Sequence, residues 1–170
     1  MFEIIPYVKN ERFCTLKDEI LEEIFQILVK ENLLRKVFIA GKVFTPSDFV
    51  NFCHAKSGCL FFVWEQKPSA FFWLEYEYEK AIWVNFCIFK DFIGGAATEI
   101  GKLALDYLWH FEYNGEPAIE SIAGMTPVDN VMAVKYAQRI GGTPIGVLKN
   151  FIYDHYSNKY VDAIITEYRR

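Results

Sequence analysis

The first half of the chain alternates between short apolar segments and stretches that are charged or contain Gly and Pro. Residues 2–8 are mostly apolar and predict a first strand. Residues 15–18 (TLKD) have the spacing of a capping box and precede apolar residues at helical intervals, so they predict the start of a first helix. Residues 45–48 (TPSD) predict a second, short helix, because Thr is at the cap and Pro at the first helical position.

Three apolar strands joined by short turns follow the second helix. They are predicted over residues 59–66, 70–78 and 82–89. Links this short require antiparallel neighbours, because parallel strands need long crossover connections. The pattern therefore excludes a simple dinucleotide-binding fold, which also requires a G-x-G-x-x-G motif after its first strand.

A turn rich in glycine and alanine, residues 90–97 (KDFIGGAA), connects the last of these strands to a helix-periodic segment. Such a turn leaves several N–H groups unpaired at the helix start, where the positive end of the helix dipole also lies. Together these groups bind phosphate well, so the turn indicates a phosphate-bearing ligand held by the backbone. Close packing of strand against helix is the simpler explanation of the same glycines.

The last third of the chain predicts one more crossover and a hairpin. Residues 119–125 predict a strand parallel to the one at 82–89, since a full helix connects the two. Residues 126–129 (TPVD) repeat the cap-Pro-x-acid pattern and predict the start of a last helix, which should end at two consecutive glycines. The closing hairpin is predicted at residues 145–153 and 160–168.

Composition and charge narrow the class of protein. The chain has 170 residues, of which 52% are hydrophobic, and this suits one domain, residues 1–170, with a substantial core. A formal net charge of -4 argues against a general nucleic-acid binder, which should be basic. No apolar run approaches the roughly 20 residues of a membrane-spanning helix, and the first residues lack the features of a signal peptide. We therefore expect a cytoplasmic protein with no nucleic-acid or membrane partner.

Cysteine spacing and aromatic content give two further expectations. The four cysteines have neither metal-knuckle nor redox spacing, and the three histidines are isolated, so no metal site is expected. An aromatic content of 18% favours self-association as a homodimer, because aromatic residues are enriched at protein interfaces.

The order of predicted elements and the glycine turn resemble the GNAT superfamily of coenzyme A-dependent N-acetyltransferases. In that family the fourth strand leads into a turn of the form Q/R-x-x-G-x-G/A, which grips the coenzyme A pyrophosphate. Residues 92–97 (FIGGAA) are similar, with Gly95 and Ala97 at the matching positions. Phe92 stands where the family usually has Gln or Arg.

A second motif strengthens the resemblance. The family has N-x-x-A on a helix that runs to a glycine, and Asn130, Ala133 and Gly141 match it in order and spacing. Both motifs are degenerate, so their correct order along nearly the whole chain is what makes the match specific. The departure is Ala137, which occupies the position seven residues after the Asn where the family often has a Tyr that protonates the departing thiolate.

The resemblance implies a fold and a co-substrate. The fold is α/β (α+β), with a mixed, mostly antiparallel sheet of about seven strands, about four flanking helices and a splayed gap between the fourth and fifth strands. The co-substrate is acetyl-CoA or coenzyme A, with no metal. The residues implied to contact it are Phe86, Cys87, Ile88, Phe92, Gly94, Gly95, Ala96, Ala97, Asn130 and Ala133.

The resemblance also implies direct attack of an amine on the acetyl thioester, with a base to remove the amine proton. The candidate catalytic residues are Glu75, Glu77, Asn85 and Tyr136. The glutamates share one face of the strand before the glycine-turn strand, and a solvated strand face is their simpler explanation. Asn85 is polar within an apolar run and needs a partner or a function, or it fixes the strand splay by a hydrogen bond. Tyr136 adjoins Ala137, but one helical step rotates a side chain by about 100°.

Three functions are compatible with these residues. The first is an acyl-CoA-dependent N-acyltransferase that acts on a small-molecule or protein amine. The second is a catalytically silent GNAT-like module that binds a partner, which Phe92 and Ala137 favour. The third is a small-ligand binder that uses the splayed gap without coenzyme A.

Overall fold

A computed structural model describes residues 1–75 and 78–170; Tyr76 and Glu77 lie outside the described residues. Within the described residues the chain forms nine strands and five α-helices, with one 3-10 turn at Lys90–Phe92. The helices are α1 Asp18–Lys30, α2 Leu34–Val37, α3 Pro46–Ala55, α4 Gly95–Trp109 and α5 Val131–Arg139. The strands are β1 Glu3–Tyr7, β2 Leu60–Trp64, β3 Pro68–Tyr78, β4 Ala81–Ile88, β5 Glu112–Tyr113, β6 Glu116–Pro117, β7 Ser121–Pro127, β8 Thr143–Asp154 and β9 Lys159–Tyr168.

Seven strands form one mixed sheet in the order β1-β2-β3-β4-β7-β9-β8, and β5 and β6 form a separate two-stranded sheet. The pairs β1–β2, β2–β3 and β7–β9 are antiparallel, whereas β4 and β7 are parallel. The predicted fold class is therefore confirmed, including the parallel pair created by the α4 crossover. The parallel register runs from Ala81↔Ser121 to Trp83↔Ala123, and both strands continue beyond it.

The chain divides into two compact units. The first unit is Met1–Trp73, Phe86–Ile93 and Asp154–Asn158, and the second is Leu74–Asn85, Gly94–Tyr153 and Lys159–Arg170. The single domain predicted for residues 1–170 stays a prediction.

Aromatic rings fill the core of the first unit. Phe49 of α3 is fully buried, with ring centroids at 6.2 Å from Phe25, 6.1 Å from Phe38 and 5.8 Å from Phe71. Leu21, Ile24, Phe25 and Leu28 form the buried face of α1. Their helical spacing in the sequence thus reflects the packing of α1 on this core.

Helix α4 packs closely against helix α5 in the second unit. Gly101, in the middle of α4, is buried, and a Cβ there would overlap the Tyr136 hydroxyl and lie 2.8 Å from Ile140 Cγ2. Only glycine fits between α4 and the end of α5 at this position.

Two predicted helix starts are wrong. Helix α1 begins at Asp18 with no side-chain cap, and the Thr15 hydroxyl instead accepts a hydrogen bond from the Val8 N–H at 3.0 Å. The TPVD segment does not start a helix, because β7 extends to Pro127 and α5 begins only at Val131. In the first case the Thr15 side chain bonds the backbone of the residue after β1 instead of the helix, and in the second the pairing of β7 with β9 took priority over the local capping pattern. The third predicted start, at Thr45, is confirmed as a capping box.

Candidate functional site

The start of helix α4 is open. Gly94 occupies the cap position with φ 118° and ψ −133°, no side chain among the described residues caps the helix, and its first turn has no acidic residue. Gly94 and Gly95 are exposed, and a Cβ built on either would meet nothing within 4 Å. Ala97 is buried and anchors the first turn. The positive φ favours glycine at residue 94, and the two glycines leave the backbone uncovered.

An open helix start of this kind suits an anion. The first N–H groups of a helix have no intrahelical partner and carry the positive end of the dipole. With no capping oxygen and no carboxylate in the first turn, these donors can meet phosphate oxygens of a ligand. The assignment of Gly94, Gly95, Ala96 and Ala97 to a pyrophosphate site stays a prediction.

Asn130 forms the start of helix α5. Its side-chain oxygen accepts a hydrogen bond from the Ala133 N–H at 3.4 Å. The N-x-x-A spacing is thus an N-cap with its N3 residue, and the side-chain NH₂ group still carries its donors. The contact of Gly101 with Tyr136 packs α4 against α5 in the second unit. Helices α4 and α5, which carry the two family-like motifs, therefore lie side by side.

The residues of the first unit that were predicted to contact coenzyme A are engaged in packing. The Phe86 ring lies 5.4 Å from that of Phe72. Cys87 is 3% exposed, and burial raises the pKa of its thiol, which stays protonated. Ile88 is half-buried at the end of β4. Cys87 can contribute to ligand binding only through its backbone.

Phe92 packs into the first unit and does not supply the side-chain hydrogen-bond donors of the usual Gln or Arg. Its ring lies 6.0 Å from Phe2 in an edge-to-face arrangement, and Lys67 Nζ stands 5.5 Å from its centroid. Lys67 also pairs with Asp91. The phenyl ring thus serves as a hydrophobic and cation–π contact.

The strand residues proposed for catalysis differ in their surroundings. Glu75 is half-buried on β3, and Glu77 lies outside the described residues. Asn85 is half-buried on β4, and no hydrogen bond to its side-chain amide is present within residues 1–75 and 78–170. A half-buried amide in this state has its donors and acceptor available to a ligand.

Tyr136 is directed into the helix packing. Its hydroxyl lies against Gly101, and burial raises its pKa, with a smaller contribution from Tyr168. Ala137, at the position of the usual family Tyr, is buried. A phenol with a raised pKa gives up its proton less readily, so this environment does not favour a role as general acid.

A buried carboxylate with several hydrogen bonds was missed by the sequence analysis. Asp154 accepts hydrogen bonds from Arg35 Nη2 at 2.6 Å, from the Ser157 hydroxyl and from the Tyr156 N–H at 2.9 Å. The hydrogen bond from Ser157, followed by Arg35 and the Tyr156 N–H, lowers the pKa of Asp154 to about 2. Arg35 and Asp154 are 119 positions apart in the sequence, so no local sequence pattern predicts their pairing.

Membrane-spanning helices and metal-binding clusters are both absent from residues 1–75 and 78–170. No helix in that part of the chain has both the length and the apolar character to cross a membrane. Nor does that part bring together three or more His, Cys, Asp or Glu side chains that could hold a metal ion.

Comparisons with known proteins identify the fold. No family model and no curated protein matches the sequence. A GNAT-family acetyltransferase from Bacillus anthracis superposes with a TM-score of 0.74 at 16% identity, covering 96% of this chain and 98% of that one. An acetyltransferase from Salmonella typhimurium that modifies the N-terminal serine of a 50S ribosomal subunit protein gives 0.78 at 14% identity, over 99% and 95%.

A third solved structure contains a bound co-substrate. A microcin self-immunity acetyltransferase in complex with acetyl-CoA and AMP superposes with a TM-score of 0.67 at 16% identity, covering 99% of this chain and 92% of that one. The similarity extends over almost the whole length of each chain. The chain therefore has the fold of the GNAT acetyltransferases.

Proposed function

We propose that the protein is an acyl-CoA-dependent N-acyltransferase that transfers an acetyl group from acetyl-CoA to a primary amine. The open start of helix α4 is the observation that carries this proposal. It combines uncovered backbone at Gly94 and Gly95 with the absence of a side-chain cap and of first-turn carboxylates. In a GNAT fold, an anion site there suits the pyrophosphate of coenzyme A.

The chemistry is direct acyl transfer. The amine nitrogen attacks the thioester carbonyl carbon, the C–S bond breaks, and the thiolate leaves with the C–S electron pair. A thiol has a pKa of about 8.5, so its thiolate is a tolerable leaving group near neutral pH without a strong general acid. We therefore leave Tyr136 out of the proton relay, because its hydroxyl packs against Gly101.

The amine proton needs an acceptor near the reacting nitrogen. Glu75 and Glu77 on β3 are the proposed bases, and Asn85 on β4 is the proposed hydrogen-bonding partner of the substrate. Replacing the true base should lower kcat by roughly 10² to 10⁴-fold. Glu75→Gln and Glu77→Gln, assayed separately for release of free thiol, distinguish the two glutamates.

Thermal unfolding with acetyl-CoA, with coenzyme A and without ligand tests the co-substrate. A ligand at 100 times its dissociation constant should stabilise the folded state by about 2.7 kcal/mol. We expect both molecules to raise Tm, since they share the pyrophosphate. No rise at millimolar acetyl-CoA would contradict the proposal.

Gly95→Val is the matching variant. A Cβ at Gly95 meets nothing within 4 Å, so the apo protein should fold normally, whereas the side chain covers the N–H groups and should abolish the rise in Tm. Ser47→Val is the control, because Ser47 is an exposed residue at the start of α3. A Gly95→Val protein that still responds fully to acetyl-CoA would place the phosphate site elsewhere.

A catalytically silent module is the second candidate. It is favoured by Ala137 at the usual Tyr position and by Phe92, which packs against Phe2 and Lys67. It predicts a rise in Tm with coenzyme A but no acetyl transfer to any amine, including protein N-termini. Amine-dependent release of thiol would exclude it.

A further inference from the structure

A buried tyrosine at the end of β9 has a hydroxyl group that the fold does not use. Tyr168 is 5% exposed, and its hydroxyl has no hydrogen-bond partner within residues 1–75 and 78–170. Buried polar groups are nearly always paired, so this phenol requires an explanation. The oxygen is not fully enclosed, so a ligand that enters from outside can reach it.

The ring of Tyr168 lies across Gly124 of β7. A Cβ at Gly124 would lie 3.8 Å from Tyr168 Cε2 and 4.0 Å from its hydroxyl oxygen, and 3.5 Å from the Val84 carbonyl oxygen of β4. Gly124 is the first residue of β7 beyond the parallel register, which ends at Trp83↔Ala123. All of these residues belong to the second unit. The hydroxyl therefore lies where the pairing of the two parallel strands stops.

This hydroxyl also lies close to the middle of helix α4. The Tyr136 hydroxyl lies against Gly101 of α4, and Tyr168 is near enough to contribute to the raised pKa of Tyr136. Gly101 is six residues along the helix from Gly95, or about 9 Å at 1.5 Å per residue. The pantetheine arm of coenzyme A separates its pyrophosphate from its sulfur. A molecule whose pyrophosphate is held at Gly95 therefore carries its thioester away from the helix start.

The end of the β4–β7 pairing suits such an arm. Strand edges that lack a neighbouring strand present N–H and C=O groups, and the arm has two amide groups that match them. Beyond Ala123, β7 continues to Pro127, so it offers such groups on the side that faced β4. An arm that follows this edge ends beside the Tyr168 hydroxyl.

We propose that the Tyr168 hydroxyl donates a hydrogen bond to the sulfur of acetyl-CoA as the thioester is cleaved. This catalytic role rests on the proposed function. The amine nitrogen attacks the carbonyl carbon, the C–S bond breaks, and its electron pair goes to sulfur. Hydrogen bonds to charged acceptors are about twice as strong as those between neutral groups. The interaction is therefore stronger with the departing thiolate than with the intact thioester, as catalysis requires.

The proton stays on Tyr168 in this step. Burial raises the pKa of Tyr168 to about 12, above the pKa of about 8.5 of an ordinary thiol. The hydroxyl is therefore a hydrogen-bond donor throughout the physiological pH range and does not transfer its proton to the thiolate. Solvent then protonates the released thiolate.

The ionisation of bound coenzyme A tests the hydrogen bond without turnover. A donor at sulfur favours the thiolate, so the pKa of the bound thiol should be about one pH unit or more lower in the wild type than in Tyr168→Phe. The ultraviolet absorbance of the thiolate, as the difference between loaded and unloaded protein, measures it. Tyr136→Phe removes a neighbouring buried hydroxyl and should match the wild type. Equal values in the wild type and Tyr168→Phe would overturn the proposal.

Kinetics and stability separate a catalytic role from a packing role. Tyr168→Phe should lower kcat about 10- to 100-fold and leave KM for acetyl-CoA nearly unchanged, because the hydrogen bond strengthens only as charge develops on sulfur. Its stability to urea should equal that of the wild type, since the hydroxyl loses no partner in the described part of the chain. Reduced stability with an unchanged kcat would overturn the proposal.

The rise in Tm with coenzyme A distinguishes failure of this role from failure of the proposed function. Tyr168→Phe should show the same rise as the wild type, because its backbone site at Gly95 is intact. No rise in either protein would contradict the co-substrate, and with it the role of Tyr168. An equal rise with equal thiol pKa values would contradict the role of Tyr168 alone.

Discussion

The starts of helices α3 and α4 are built in opposite ways. At α3 the Thr45 hydroxyl accepts the Asp48 N–H at 3.2 Å, while Asp48 Oδ2 accepts the N–H groups of Thr45 at 2.9 Å and Phe44 at 3.1 Å. At α4 the cap is Gly94, and no side chain returns to the backbone. One helix start satisfies its own donors, and the other leaves them for an external acceptor.

The two helix starts differ in whether they contribute to stability or to ligand binding. The capping box at α3 contributes to the folded state whether or not a ligand is present. The open start at α4 forgoes that contribution, and its donors are satisfied by water or by an anion. Substitutions at the two starts should therefore have different readouts.

The largest expected effect on stability is at Gly101. A Cβ there would overlap the Tyr136 hydroxyl, so Gly101→Ala should lower the free energy of unfolding by about 1–3 kcal/mol. Gly95→Ala on the same helix has free space and should be neutral or slightly stabilising. Urea denaturation of both variants measures the difference. Equal losses would mean that the start of α4 is as closely packed as its middle.

Loss of the α3 cap should have the next largest effect. Thr45→Ala removes the hydroxyl that accepts the Asp48 N–H and should cost about 1 kcal/mol. The rise in Tm with acetyl-CoA should be unchanged, because this helix start binds no ligand in our proposal. Ser47→Ala, at a neighbouring exposed residue, is the control. A smaller rise in Tm with acetyl-CoA in Thr45→Ala than in the wild type would contradict the distinction between the two helix starts.

A carboxylate added to the α4 start should act in opposite directions on stability and binding. Ala96→Glu places a negative charge in the first turn, which stabilises a helix by about 0.3–1 kcal/mol through its dipole. The same charge should repel the pyrophosphate and weaken coenzyme A binding, measured by titration calorimetry. Ala96→Gln matches the size without the charge and should bind more tightly than Ala96→Glu. Equal affinities would argue against an anion site here.

Of the two helix starts, only the capping box of α3 should contribute less to stability as the pH falls. Hydrogen bonding by the Thr45 side chain, followed by the Phe44 N–H, lowers the pKa of Asp48 below its ordinary value of 3.8. The folded-state pKa is the lower one, so this contribution is complete above the unfolded-state pKa and is lost as pH falls through the folded-state pKa. The stability difference between wild type and Asp48→Ala, measured by urea denaturation, should shrink below about pH 4. A difference that is constant from pH 7 to pH 3 would contradict the assignment.

Local patterns predicted the elements well where packing and capping agreed. The meander, the α4 crossover and the closing hairpin follow from apolar periodicity and turn lengths, which act over a few residues. The TPSD segment forms a capping box, whereas TLKD and TPVD do not, although all three have similar sequences. The difference lies in β7, which extends through the first half of TPVD, and in the hydrogen bonds that Thr15 makes with Val8 instead of with the helix.

The site residues also divide into those that the local sequence predicts and those whose role depends on residues distant in sequence. The open turn at Gly94 and Gly95 was predictable, because glycine leaves the backbone uncovered in any fold. The roles of Phe92 and Tyr136 were not, because they depend on neighbours that are distant in sequence. Phe92 packs against Phe2, and Tyr136 lies against Gly101.

The sequence by itself determined the order of elements, the antiparallel meander and a helix that begins on two glycines, because these depend on side-chain periodicity and local backbone freedom. Only the tertiary structure decided which helix starts are closed and which polar groups are paired. These properties depend on what lies across space from each residue, as for Arg35 and Asp154, and no local spacing encodes them.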